Sequence, residues 1–287
     1  MASSRALALL LTGTLAATAL LPLAAAAGEQ PRWTVGDYWH YTGTVQVPFL
    51  GDRTLQRTIT VAARESVVVQ GVGQDAWRLT INDLTNLGGG AVTNLTTTEW
   101  YRPSDLSLLK SHTDLLDVTT VYTPPPNRYQ FPLLLGETWI VIATTEVSGP
   151  FGNRTDSVAF DSRITDTQDV TATGAGTSRT FSAVILREDD AIGSGYTLNH
   201  YAEDAGWWVK VEHRASANRV TMTLSLDRFR YAPPPTPLEI GGFVALLAFV
   251  LVMVAILVLV ARRPRQRGGP PNPYAAPPQQ PPAGPGP

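Results

Sequence analysis

The sequence predicts a mainly β protein: a strongly curved antiparallel sheet or open half-barrel ectodomain, plus one C-terminal transmembrane helix. Three observations carry this. Residues 240–261 hold no charge and no strongly polar side chain, and about 20 such residues at ~1.5 Å rise span a bilayer core of ~30 Å. Four arginines, Arg262, Arg263, Arg265 and Arg267, follow directly, as expected for the cytoplasmic side of a membrane helix. Between Gly28 and Tyr231, β-branched and aromatic residues alternate with polar ones, without a sustained helical period.

Residues 1–27 read as a signal peptide. Arg5 supplies the basic start, Ala6 to Leu21 the apolar stretch, and Ala24 to Ala27 the small residues before a cleavage site. The segment 28–231 is then the exported β-domain. All 24 acidic residues of the chain fall between Glu29 and Glu239, against 17 basic ones. An acidic outer domain and a basic inner end agree with that topology, and an acidic ectodomain argues against nucleic acid as partner. The chain has no cysteine, so the domain must rest on its core, with no disulfide, thiol nucleophile or thiolate metal site.

The clearest strand lies near the end of the domain. Val220, Met222, Leu224 and Leu226 occupy one face, Thr221, Thr223, Ser225 and Asp227 the other. Trp77, Leu79 and Ile81 alternate with Arg78, Thr80 and Asn82 in the same way. Half-polar strands belong to antiparallel sheets with one wet face. Turns are marked by Gly88-Gly89-Gly90, by Pro124-Pro125-Pro126-Asn127 and by Gly149-Pro150-Phe151-Gly152-Asn153. Glu203-Asp204-Ala205-Gly206 joins two strands, with Gly206 suited to the left-handed position. About ten or eleven strands are expected, joined by short connections. Residues 232–239 form a proline-rich stalk, and 262–287 a basic, then proline-rich, cytoplasmic tail expected to be disordered.

Three phrases carry a resemblance: Trp33-Thr-Val-Gly-Asp-Tyr-Trp-His-Tyr41, Phe131-Pro-Leu-Leu-Leu-Gly-Glu-Thr-Trp139 and Tyr201-Ala-Glu-Asp-Ala-Gly-Trp-Trp-Val-Lys210. Their order and spacing resemble uncharacterised prokaryotic envelope β-domains. Those are similar in turn to the periplasmic lipoprotein-carrier fold, a half-barrel with an apolar concave face. The resemblance implies a curved sheet and an apolar or envelope ligand (a lipid, a lipoprotein or a glycan), and it brings no catalytic residue. Carriers are soluble or lipid-anchored, whereas this chain is expected to be tethered by a helix.

No zinc-protease, serine-hydrolase, phosphate-loop or dinucleotide motif occurs. His40, His112, His200 and His213 stand singly, so no metal site and no cofactor are expected. The acidic groups at Glu188-Asp189-Asp190, at Glu203-Asp204 and around Asp161, Asp166 and Asp169 read as solvated turns. Ligand contact is expected from tryptophans, with Trp39, Trp100, Trp207 and Trp208 as candidates. Adjacent Trp207 and Trp208 should point to opposite faces of a strand, leaving one off the core. Asn94 and Asn153 sit in glycosylation sequons. Gly241, Ala245, Ala248 and Ala255 form a small-residue stripe along the membrane helix that would allow a homodimer. The expected function is a non-enzymatic, single-pass, membrane-anchored module outside the cell that binds an apolar or envelope ligand. The alternatives are a module pairing with another envelope protein and, third, a surface hydrolase.

Overall fold

The structure, a computed structural model, describes residues 28–174, 177–190, 195–215 and 218–232. The signal peptide, the membrane helix, the tail and all of the stalk but Ala232 lie outside these residues, and so does the Gly241–Ala255 stripe. Among the described residues no helix is long and apolar enough to cross a membrane.

Twelve strands run in chain order: β1 (Tyr38–Val47), β2 (Gly51–Val69), β3 (Val72–Gly88), β4 (Ala91–Tyr101), β5 (Leu108–Thr113), β6 (Val118–Thr123), β7 (Thr138–Ser148), β8 (Arg154–Gly174), β9 (Thr177–Asp190), β10 (Tyr196–Ala202), β11 (Trp207–Arg214) and β12 (Val220–Arg230). Each pairs antiparallel with the next, and β12 returns to β1, so the sheet is a closed barrel. This corrects the expected open half-barrel and the count of ten or eleven strands. Closure rests on β1 meeting β12 from Tyr38↔Arg230 to Val45↔Met222. No local pattern encodes a pairing across such a distance in sequence. Glycine permits it at Gly43, where a Cβ would lie 1.8 Å from the Thr223 carbonyl oxygen. Register shifts at His40/Tyr41, Val61/Ala63, Trp100/Tyr101, Ile164/Asp166 and His200/Tyr201 supply the bends a closed sheet needs.

The turn residues act as their sequence suggests. Gly206 follows a short 3₁₀ turn, Glu203–Ala205, in the left-handed conformation with φ of 63°. In β7 the alternation is clean: Trp139, Val141, Ala143 and Thr145 are buried, while Ile140 and Ile142 face out.

The two ends of the barrel differ. At the end where the chain enters β1 and leaves β12, aromatic side chains form a plug. Trp207 lies 5.0 Å from Trp33, 5.3 Å from Trp208 and 5.9 Å from Tyr129 between ring centroids, and Tyr201 lies 5.6 Å from Trp208. Each such ring buries on the order of 150–250 Å², about 4–6 kcal/mol of transfer free energy as an upper estimate. Four of the aromatic residues here bond to backbone through their polar atoms: Trp33 Nε1 to the Gly206 carbonyl at 3.1 Å, Trp39 Nε1 to Ala205 at 2.6 Å, Tyr41 Oη to Trp208 at 2.8 Å and Tyr201 Oη to Glu29 at 2.6 Å, whereas the buried Trp207 Nε1 has no partner among the described residues. The segment 28–37 is thereby stitched across the end. Asp37 caps its turn by accepting from Thr34 N at 2.7 Å, and Val61 N donates to the Asp37 carbonyl at 2.9 Å. The distal half of the β8–β9 hairpin packs against β11 and β12, with Phe181 5.7 Å from Phe229.

Replacing Gly43 tests the seam. Gly43→Val is expected to cost about 2–3 kcal/mol or to prevent folding, read by chemical denaturation. The same change at exposed Thr44 should be nearly silent.

Candidate functional site

In the half of the barrel beyond the plug, the inward phase of several strands is charged. Arg57 falls between buried Leu55 and Ile59 on β2, and Asp83 follows Leu79 and Ile81 on β3, directly opposite Arg57. Their pair is bidentate, with Arg57 Nε to Asp83 Oδ1 at 2.7 Å and Nη2 to Oδ2 at 2.6 Å. Burial works against the Arg57 charge, but Asp83 beside it keeps the guanidinium above its ordinary pKa.

On β4, Glu99 lies opposite Leu79 and accepts from Tyr101 Oη at 2.6 Å. Burial raises the Glu99 carboxyl above the usual carboxylate range, although the Tyr101 hydroxyl and the Arg128 and Arg57 charges oppose the rise. Tyr101 is itself pushed well up, by burial and by Glu99.

The third charged group comes from a connection. Residues 124–137, between β6 and β7, bring buried Tyr129 to the plug and send Arg128 into the lumen. There Arg128 Nε meets Glu188 Oε1 at 2.9 Å and Nη2 meets Oε2 at 2.8 Å, while Asn199 Nδ2 donates to Oε2 at 2.7 Å. The Glu188 side chain is 2% exposed. Burial again disfavours the Arg128 charge, but Glu188 holds it well above the ordinary arginine value. The guanidinium also stacks 5.1 Å from the Phe160 ring centre.

A cavity of about 270 Å³ opens over this pair. Arg128, Phe160, Glu188, Thr197 and His213 line it, with Gly195, Tyr196 and Ala215 at its rim. A bidentate ion pair whose carboxylate is buried and whose guanidinium is half-buried, beside an aromatic ring in a concave pocket, can orient a small molecule that carries polar groups and one apolar face.

The sequence candidates lie elsewhere. Trp39, Trp207 and Trp208 are buried in the plug at 0%, 4% and 5% exposure. Trp207 meets Trp33 of the N-terminal segment, and Trp208 meets Tyr129 of the β6–β7 connection. The two rings also touch each other at 5.3 Å and share Tyr129 as a neighbour, so both belong to the plug and neither stands off the core, contrary to the expectation of opposite faces. Trp100 is half-buried in a smaller cluster with Val67, Val69, Ala76 and Leu109. Its Nε1 donates to Glu65 at 2.9 Å, and Lys110 lies over its ring at 5.2 Å. Asn94 and Asn153 are both exposed.

Glu188 is not part of a solvated turn as expected, because it falls on the inward phase of β9, whereas Asp189 faces Arg163 and Arg187. Three histidines take ordinary partners: His40 with Asp227, His112 with Thr119 and His213 with Thr221. His200 is buried without a hydrogen-bond partner, and burial, then the Lys210 charge, push its pKa down to about 4. Among the described residues no group of three or more histidine, aspartate or glutamate side chains could hold a metal ion.

Sequence reasoning missed Arg57, Asp83, Glu99, Arg128 and Asn199. For Arg57 and Asp83 the signal was present: a charge standing in the apolar phase of an alternating strand. Arg128, in an irregular connection, offered none.

No protein-family model and no curated protein matches the chain. A solved structure from Bacteroides fragilis, of a protein described as exported and of YmcC-like fold, is similar at 10% identity and a TM-score of 0.38. It covers 71% of this chain and 99% of that one, and a likeness so slight carries no argument.

Truncating Arg128 would leave Glu188 charged and buried. Arg128→Ala is expected to destabilise the barrel by about 3–5 kcal/mol, whereas Arg128→Ala combined with Glu188→Leu should recover most of that loss. Denaturant melts of the four variants in the cycle measure it.

Proposed function

We propose that this chain is a membrane-anchored extracytoplasmic binding module, non-enzymatic, whose barrel lumen holds a small polar ligand over the Arg128–Glu188 pair. Anchoring and export are read from the apolar stretch 240–261 with its flanking arginines and from the leader-like residues 1–27. The observation that supports the ligand class is the bidentate Arg128–Glu188 pair, its carboxylate buried and held also by Asn199, beneath a cavity of about 270 Å³. Acyl chains fit poorly, because the plugged half is filled with aromatic rings and the other half presents charge to any apolar tail.

A second reading has its own support. The hairpin tips at the end opposite the plug carry exposed apolar side chains: Phe49 and Leu50 between β1 and β2, Leu115 and Leu116 between β5 and β6, and Phe151 between β7 and β8. Phe49 is fully exposed with φ of 66°, a strained conformation for a bulky residue. Such tips suit pairing with another envelope protein. A dimer through Gly241, Ala245, Ala248 and Ala255 is compatible with either reading.

Native mass spectrometry of the full-length chain, purified in mild detergent from its host, separates these readings. Retention of a small polar molecule that Phe160→Ala and Arg128→Lys both release is the expected result. Retention of an acyl lipid released by Phe160→Ala would contradict the lumen reading. Recovery of a defined protein and no small molecule would favour pairing.

A further inference from the structure

We infer that a second site, independent of the lumen, lies on the outside of the plugged end and takes a neutral, extended carbohydrate chain. It is a groove of about 970 Å³. One bank is the part of the β2–β3 hairpin beyond Thr60, where β1 no longer pairs with β2. The other bank is the N-terminal segment from Glu29 to Trp33 together with the β4–β5 connection around Arg102.

The walls carry groups that suit pyranose rings: a partly exposed indole, on which a ring would stack where it displaces Arg64, and planar polar groups for vicinal hydroxyls. Trp77 is half-buried on the hairpin bank, with the Arg64 guanidinium 5.2 Å from its ring centre. Arg64 is fixed there by Asp75, through Nη2 to Oδ2 at 2.7 Å and Nε to the same oxygen at 3.1 Å. Gln74 lines the groove beside them. Across from it, Arg102 is clamped on Asp105 at 2.9 and 2.5 Å. Guanidinium and carboxylate groups that already hold one another keep donors and acceptors in place, so little side-chain freedom is lost on binding.

Charge decides the class of ligand. Arg64 is matched by Asp75 and Arg102 by Asp105, while Glu29 and Arg32 offset one another. There is no cationic excess to select a phosphate or an anionic lipid surface. A groove of about 970 Å³ with balanced polar walls exceeds what a single sugar fills, which points to an oligomer.

Calorimetric titration of the full-length chain in detergent tests this with cellotetraose and the tetramer of N-acetylglucosamine as probes. A galacturonate tetramer, phosphatidylglycerol vesicles and a valine- and threonine-rich hexapeptide serve as competitors of other chemistry. Binding of at least one neutral tetramer is expected, weakened tenfold or more by Trp77→Ala and several-fold by Gln74→Ala, and unchanged by Glu146→Gln on the exposed face of β7. Because Trp77 also touches the core, its variant is read alongside its melting temperature, and Gln74→Ala carries the test if Trp77→Ala does not fold. Failure of both neutral tetramers to bind, insensitivity to Gln74→Ala, or binding confined to the anionic probes or the peptide would overturn the proposal. The Arg128→Lys and Phe160→Ala experiment on the lumen reads a separate site, so either result stands without the other.

Discussion

The pairing of β1 with β12 is the contact on which the rest of the molecule depends. It turns a long antiparallel meander into a closed wall and so creates an inside. Without it, two exposed edges would invite association with other chains, and the inward phases of the strands would face water. Glycine at position 43 allows the close backbone approach, and the register shift at His40/Tyr41 takes up curvature. The aromatic plug reinforces the same seam: Trp39 and Tyr41 of β1 reach across to the carbonyls of Ala205 and Trp208.

Closure also explains why charged residues lie in the interior. A barrel of twelve strands encloses more volume than the plug fills. Beyond the rings, the inward positions include Arg57, Asp83, Glu99 and Glu188 among apolar neighbours such as Ile81 and Phe160, with Arg128 brought in by the β6–β7 connection. Arg57 pairs with Asp83 and Arg128 with Glu188, while Glu99 accepts from the Tyr101 hydroxyl, which meets the condition for keeping such groups away from bulk water. Two ion pairs, one of them lining a cavity, thus stand above a floor of packed aromatic rings. They leave little room for the acyl cargo that an open, apolar concave face would suit.

What was legible in the sequence was local. Alternation in Val220–Asp227 and Trp77–Asn82, the left-handed Gly206 turn and the breaks at Gly88–Gly90 and Gly149–Asn153 all follow from side-chain period and backbone freedom within a few residues. What was hidden is non-local. The seam between β1 and β12 joins residues near opposite ends of the domain. Trp207 and Trp208 gather with residues of the segments 28–37 and 124–137 into one plug, and nothing near those tryptophans announces it. Glu188 looked like one of three acidic residues in a turn, because its partners Arg128 and Asn199 lie 60 and 11 positions away. Arg57 and Asp83 could have been found by treating a charge in an apolar strand phase as a marker of a wet interior.

The cysteine-free chain allows a direct test of closure. Thr42 and Ser225 are register partners across the seam, within the distance a disulfide spans. Thr42→Cys with Ser225→Cys is predicted to form an intramolecular disulfide under mild oxidation. The offset pair, Thr42→Cys with Thr221→Cys, should stay reduced. If the in-register pair fails to cross-link within one chain, or both pairs cross-link equally, β1 and β12 do not form the wall and the account of a closed barrel is contradicted.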